Sequence, residues 1–200
     1  MPGELDTAEI RQRQARDIAE RLWLASKLKV LSPRGTFNVN DAVDVALFLT
    51  ERLFRTAGIK LHTRLDPTIP AVDAHMGKVE QTLVNVLVNA CEATRHGGVV
   101  TVTTEYLQRE RRVAVCIADT GEGIPAEVLD RVFEPFYSTR GRLGVGLSAA
   151  RDLLSGLGGD IGIESTVGEG TKVTLGLPAA APPEHQSEQR ESEHIVEDVG

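Results

Sequence analysis

The 200-residue sequence predicts an α/β domain, and three features carry that expectation. Segments with apolar residues at spacings of three and four alternate with short runs in which apolar and polar residues take turns. Glycine and proline separate the two kinds of segment. Aromatic residues are only 4% of the chain, so the core has to be built from Leu, Val, Ile and Ala.

Residues 8–31 read as a helix. Ile18, Leu22, Ala25, Leu28 and Leu31 form one apolar stripe, widened by Trp23 and Leu24, while Arg11, Arg13, Arg16 and Arg21 lie mostly elsewhere. Ser32-Pro33-Arg34-Gly35 stops it. Such a stripe needs a partner face, and pairing with a second chain is expected. The next helix carries Val43, Ala46, Leu47, Leu49, Leu53 and Phe54, capped by Asn40 or Asp41 and ended at Gly58. Ile59 to Leu65 alternates as a strand, and Pro67 and Pro70 leave a short connection to Val72 and Asp73.

A long helix over His75 to Thr94 follows, with Val79, Leu83, Val86, Leu87, Ala90 and Ala93 as its buried face. Asn85, Asn89 and Glu92 share another face. Asparagine competes for backbone hydrogen bonds and is a poor residue in mid-helix. Two of them one turn apart suit either a solvated polar face or amide oxygens aimed at a hard cation such as Mg²⁺. Val99 to Tyr106 and Arg112 to Asp119 read as an antiparallel hairpin. Pro125 to Val132 suits a short helix, and Leu147 to Leu157 another, stopped by Gly158-Gly159. Ile161 and Ile163, then Val173, Leu175 and Leu177, alternate as two last strands around the turn Thr166 to Gly170.

The stretch Ile117-Ala118-Asp119-Thr120-Gly121-Glu122-Gly123-Ile124-Pro125 stands out. A buried strand runs into a carboxylate, which is costly unless a donor meets it. A plain Asp-Gly turn is the other reading. Gly144-Val145-Gly146 opens the helix at Leu147 and so presents free N–H groups and the positive end of a helix dipole, an anion site. Metal-suited amides, a strand-end carboxylate and a phosphate-suited glycine pair thus occur in one chain.

Composition narrows the class further. No run approaches the roughly 18 apolar residues of a membrane span. The start, Met1-Pro2-Gly3-Glu4-Leu5-Asp6, lacks the features of a signal peptide, so a cytoplasmic location is expected. Cys91 and Cys116 read as reduced, buried thiols, and no Cys/His cluster has zinc spacing. The net charge is −7, of which six carboxylates against Arg190 place −5 in residues 179–200. The folded part is nearly neutral, which argues against a nucleic-acid surface, and residues 179–200 have the composition of a disordered tail.

Asn85-Val-Leu-Val-Asn89-Ala-Cys-Glu-Ala, Asp119-Thr-Gly-Glu-Gly-Ile-Pro, Phe133-Glu-Pro-Phe-Tyr-Ser-Thr and Gly144-Val-Gly-Leu-Ser resemble, in order, the asparagine, first glycine, phenylalanine and second glycine boxes of bacterial sensor histidine kinases. Gly168-Glu-Gly-Thr171 resembles the last glycine segment. The resemblance covers Phe37 to Pro178. It implies the Bergerat-type fold shared with gyrase B, MutL and the ninety-kilodalton heat-shock chaperone: a two-layer sandwich of a mixed, largely antiparallel sheet covered on one face by helices. It divides the chain into residues 1–35, a helix like the second of a dimerisation hairpin plus linker, residues 36–178, the ATP-binding domain, and the tail 179–200.

The resemblance also implies roles. Asn89 would coordinate Mg²⁺ on ATP, with Asn85 at the γ-phosphate and Glu92 beside them as catalytic groups. Asp119 would accept from the adenine amino group, Gly121 and Gly123 would let backbone approach the base, and Ile124 would pack on it. Gly144, Gly146 and Leu147 would face the phosphates beneath a lid bearing Arg140 and Arg142, and Thr171 would assist at the adenine. The implied reaction donates the γ-phosphoryl group to a histidine on a separate segment, in two-component signalling with a response regulator; residues 8–31 would mediate a homodimer. The lid is short, Arg140 to Leu143, and none of His62, His75, His96, His185 or His194 has the acidic and proline context of a phosphoacceptor. Those two departures motivate a rival, a degenerate nucleotide-binding or scaffold module without kinase activity. A hydrolase or an anti-sigma kinase shares the fold, but hydrolases usually carry Glu where this chain has Asn85, and Phe133 to Thr139 favours the sensor kinases.

Overall fold

The computed structural model describes residues 33–137 and 146–181. Strand β1 (Arg34–Phe37) leads into helix α1 (Val39–Ala57), then β2 (Lys60–Arg64), β3 (Val72–His75) and helix α2 (Met76–Ala93). The hairpin β4 (Val99–Leu107) and β5 (Arg112–Asp119) precedes a short helix α3 (Ala126–Leu129) that continues as a 3₁₀ turn over Asp130–Phe133. Helix α4 (Gly146–Ser155) and strands β6 (Asp160–Thr166) and β7 (Gly170–Pro178) complete the described elements.

Five strands form one sheet in the order β2-β4-β5-β7-β6, with β2 parallel to β4 and every other pair antiparallel. The expected mixed, largely antiparallel sheet is present. Alternation assigns its faces. Val100 and Val102 of β4, Val113, Val115 and Ile117 of β5, and Val173, Leu175 and Leu177 of β7 are buried towards the helices. Leu83, Val86 and Leu87 of α2, Phe54 of α1 and Leu154 of α4 close the core from the other side. Each such aliphatic side chain contributes about 1.5–3 kcal/mol on burial. The whole predicted buried face of α2 is inside.

The opposite face carries small and polar side chains, among them Thr101, Thr103, Cys116, Ala118, Lys172 and Thr174. Cys116 therefore differs from expectation. It lies half-exposed on this face with Sγ 3.2 Å from Thr174 Oγ1, because its register places it out of phase with Val115 and Ile117. Cys91 is buried, as expected.

Two short strands escape the sequence reading. β1 and β3 pair antiparallel as a separate two-stranded sheet, supported by Arg34 Nε 3.1 Å from Asp73 Oδ1. Four residues give too few alternations to be seen, and β1 is mostly exposed while only Val72 and Ala74 of β3 are buried. The domain boundary drawn after residue 35 consequently falls inside β1. At the other end, Ala179 bridges Val72 and the Ala180 amide donates to Ala71, so ordered hydrogen bonding runs past Pro178.

Helix α1 is capped by Asn38, whose side chain accepts from the Asn40 amide at 2.9 Å, two residues before the nearer of the expected caps. Asn40 serves elsewhere. Its side chain donates to the Asp66 carbonyl and accepts from the buried Thr104 hydroxyl, both at 2.9 Å, while the Asp66 amide donates to the same hydroxyl. This closed triangle satisfies polar groups between α1, the β2 exit and β4. Gly58 ends α1 in the left-handed conformation, as expected. Helix α4 begins at Gly146 and ends at Ser155, slightly earlier than predicted at both ends. The helix read over residues 8–31 lies outside the described residues.

The antiparallel pairing of β5 with β7 brings two backbones unusually close at one end. A Cβ added to Gly170, which sits at φ 124°, would fall 1.9 Å from the Asp119 carbonyl oxygen. Both the conformation and the contact exclude a side chain there. We expect Gly170→Ala to destabilise the fold by more than about 1–3 kcal/mol, whereas Gly162→Ala, whose Cβ meets nothing within 4 Å, stays within about 0.5 kcal/mol; denaturant unfolding of both variants checks this.

The Asp66 carboxyl is held below its ordinary value of 3.8 by hydrogen bonds from the Thr68 hydroxyl and amide. A depressed carboxyl stabilises the fold above its unfolded value, and that contribution disappears as pH falls through the lowered folded value. Thermal midpoints of the chain and Asp66→Ala should therefore differ at neutral pH and converge on acidification below 3.8.

Candidate functional site

At the end of the sheet that receives the C-terminus of β5, three polar side chains stand in one row. Register pairs Val100 with Asp119, Asp119 with Thr171, and Thr171 with Ser165. All belong to the helix-facing set, since they continue the phase of Val102, Ile117, Val173 and Ile163. Asp119 is 9% and Thr171 8% exposed. A row that is aliphatic further along each strand thus becomes polar where the strands end.

The turn after Asp119 is fixed from both sides. Asp119 Oδ1 accepts from the Gly121 amide at 2.8 Å, an Asx turn within the carboxylate's own loop. Thr120 clamps the start of β4, its amide donating to the Val99 carbonyl and its hydroxyl accepting from the Val99 amide. The Glu122 amide reaches the Ala93 carbonyl at the end of α2, and the Glu122 carbonyl accepts from Gly168 in the β6–β7 turn at 2.8 Å. A Cβ on Gly123 would lie 2.0 Å from the Thr166 carbonyl, so this glycine serves the contact between the loop and the β6–β7 turn. Ile124 is half-buried, and its amide donates to Ser165 Oγ at 2.8 Å.

Helix α2 packs on β5, and α4 packs on α2. Asn85, Asn89 and Glu92 are each half-buried, in contrast to the fully buried stripe of the same helix. Their spacing of four and three places them on a common face. Gly146 is buried at the first position of α4, and Leu147 beside it is half-buried. Helix α4 therefore lies beside the helix that carries the amides. Arg140, Arg142 and Gly144 lie outside the described residues. Among the described residues no three His, Cys, Asp or Glu side chains cluster as a metal site.

Between the lid segment and α3, Arg131 stacks 4.2 Å from the Tyr137 ring and pairs with Glu134, while Arg151 of α4 lies 5.4 Å from the Phe133 ring. The phenylalanine-box segment is thereby joined to α4. Ser165 is the site residue that sequence reasoning missed. Its signal was present, a hydroxyl at the helix-facing phase of β6 after Ile161 and Ile163, where a third aliphatic side chain would continue the pattern.

The profile of the family described as histidine kinase-, DNA gyrase B-, and HSP90-like ATPase matches residues 76–181. The chain is 35% identical over 156 residues to histidine protein kinase DivJ of Caulobacter vibrioides, covering 75% of this chain and 26% of DivJ. It is 32% identical over 197 residues to sensor kinase CckA of Brucella abortus, covering 88% of this chain and 20% of CckA. The chain thus spans only about a quarter of the length of these curated relatives. Among solved structures, the nucleotide-free catalytic domain of histidine kinase ThkA is similar with TM-score 0.65 and 28% identity, over 74% of this chain and 97% of that one. ThkA in complex with the response regulator protein TrrA gives TM-score 0.67 at 25% identity, over 89% of this chain and 53% of that one. The match over residues 76–181 holds α2, the Asp119 turn, α4 and both last strands, and the chain belongs to the histidine kinase-, DNA gyrase B-, and HSP90-like ATPase family.

Proposed function

We propose that this chain binds Mg-ATP between its sheet and helices and presents the γ-phosphoryl group to a histidine held on another segment. The observation that carries this reading is the polar row at the sheet's end, a buried carboxylate in register with a buried hydroxyl and locked by its own glycine turn. Asp119 accepts from the adenine amino group. A carbonyl at that ring position would face a carboxylate instead, so adenine is preferred over guanine. A hydrogen bond to a charged group of this kind contributes about 1.5–3 kcal/mol. Gly121 and Gly123 keep the loop close enough to the sheet for Ile124 to cover the base.

The other end of the nucleotide lies along α2 and the start of α4. Asn85 and Asn89 offer amide oxygens, the ligand type a hard cation takes. With no acidic cluster among the described residues, the cation would be shared with phosphate oxygens, Asn89 coordinating it and Asn85 placing the γ-phosphate. When bound, Mg²⁺ supplies charge neutralisation on the triphosphate. Glu92 stands with Asn85 and Asn89 on the same face of α2, Gly144, Gly146 and Leu147 serve the phosphates, and the N-terminal end of α4 favours the phosphate charge. Arg140 and Arg142 supply positive charge for the phosphates. The accepting imidazole is its own nucleophile, so the domain contributes positioning rather than a general base.

The named relatives are a histidine protein kinase and a sensor kinase, and the complex of ThkA with TrrA supports a response regulator as the downstream partner. No helix among the described residues is long and apolar enough to cross a membrane. Titration calorimetry with Mg-ADP tests the reading. The unmodified chain should bind, and Asp119→Asn and Asn89→Ala should each weaken binding by at least about tenfold, the loss of one charge-assisted or metal contact. Absence of binding at millimolar nucleotide would instead support the scaffold alternative.

A further inference from the structure

We infer that Ser165 is a positioning residue that fixes the hydrogen-bond sense of Thr171, so that Thr171 faces the base only as an acceptor; this rests on the adenine-nucleotide reading above. Ser165 Oγ has three partners. The Ile124 amide is 2.8 Å away, the Gly170 carbonyl 2.9 Å, and Thr171 Oγ1 2.9 Å. A serine hydroxyl has one proton and two lone pairs. The amide can only donate and the carbonyl can only accept. The single Ser165 proton therefore goes to Gly170, one lone pair takes the Ile124 N–H, and the other takes the Thr171 proton.

Every position on Ser165 Oγ is then filled, and Thr171 has no proton left to offer. What it turns towards the site is lone pairs, one register position from a carboxylate that also only accepts. The row Asp119–Thr171 becomes acceptor-only. An exocyclic amino group, with two N–H bonds, fits such a row, and a carbonyl at the same ring position does not. The reverse sense, with Ser165 donating to Thr171, would take the proton away from the buried Gly170 carbonyl, and would give Thr171 a proton able to meet a base carbonyl or the Asp119 carboxylate. Both outcomes reduce the preference for an amino group. The arrangement also ties selectivity to architecture, because the three groups on Ser165 come from the loop after β5 and from the start of β7.

Calorimetry with ADP and inosine diphosphate, which carries a carbonyl where adenine has its amino group, tests this on the full chain. Ser165→Ala is expected to lower the preference for ADP over inosine diphosphate by about tenfold without weakening inosine diphosphate. Ser165→Thr, which keeps the hydroxyl on a strand-compatible side chain, should restore the preference. In a Thr171→Val background, Ser165→Ala should leave the preference unchanged, since there is no Thr171 proton to redirect. Equal weakening of both nucleotides by Ser165→Ala, or a change of preference that persists in the Thr171→Val background, overturns the inference and leaves the nucleotide site standing. Failure of the unmodified chain to bind ADP overturns the nucleotide reading and this inference with it.

Discussion

The pairing of β5 with β7 is the constraint on which the site depends. Asp119 and Thr171 are far apart in sequence, and neither the glycine turn nor the last hairpin could place both. Antiparallel register sets them opposite each other, and the glycine at position 170 lets the Asp119 backbone come close enough to hold that register. Everything else in the site is hung from this pair. The loop after Asp119 is tied forward to Gly168 and back to Ala93, so the sheet, the end of α2 and the last turn share one junction. Displacing any one of them moves the carboxylate.

Helix α2 works through the contrast between its faces. Its aliphatic stripe is sealed against β5 and its neighbours, which fixes rotation about its axis. Fixing that rotation also fixes where Asn85, Asn89 and Glu92 lie. The unfavourable placement of two asparagines in mid-helix is thus tolerated because packing on the other face holds the helix regardless of propensity. α4 packs beside the same helix and starts at the buried Gly146.

Much of this was legible in the residues. Long periodic segments declared themselves, because burial of one face writes a pattern over many positions: α2, the β4–β5 hairpin and the final strands all lie within a residue or two of expectation. The strand-end carboxylate was conspicuous for the same reason, as a charge in an aliphatic phase. Short features were not. β1 and β3 have four residues each, too few to write a pattern even where Val72 and Ala74 are buried, and their pairing depends on tertiary proximity. The role of Asn40 is not legible in the sequence because a capping residue and a buried bridge use the same side-chain chemistry, and only the position of Thr104 decides between them. Cys116 reads as a core residue because composition, unlike register, does not distinguish the two faces of a sheet. Ser165 went unnoticed since a lone hydroxyl in a strand is ordinary; its importance lies in three partners that only the folded chain assembles.

The central claim is that Asp119 and its row read the base of a nucleotide. A crystal structure of the chain with Mg-ADP tests it most directly. The account predicts the adenine amino nitrogen about 2.7–3.2 Å from the Asp119 carboxylate, with the phosphates towards Asn89 and Gly146. A base bound away from Asp119, or phosphates seated in its place, would contradict it.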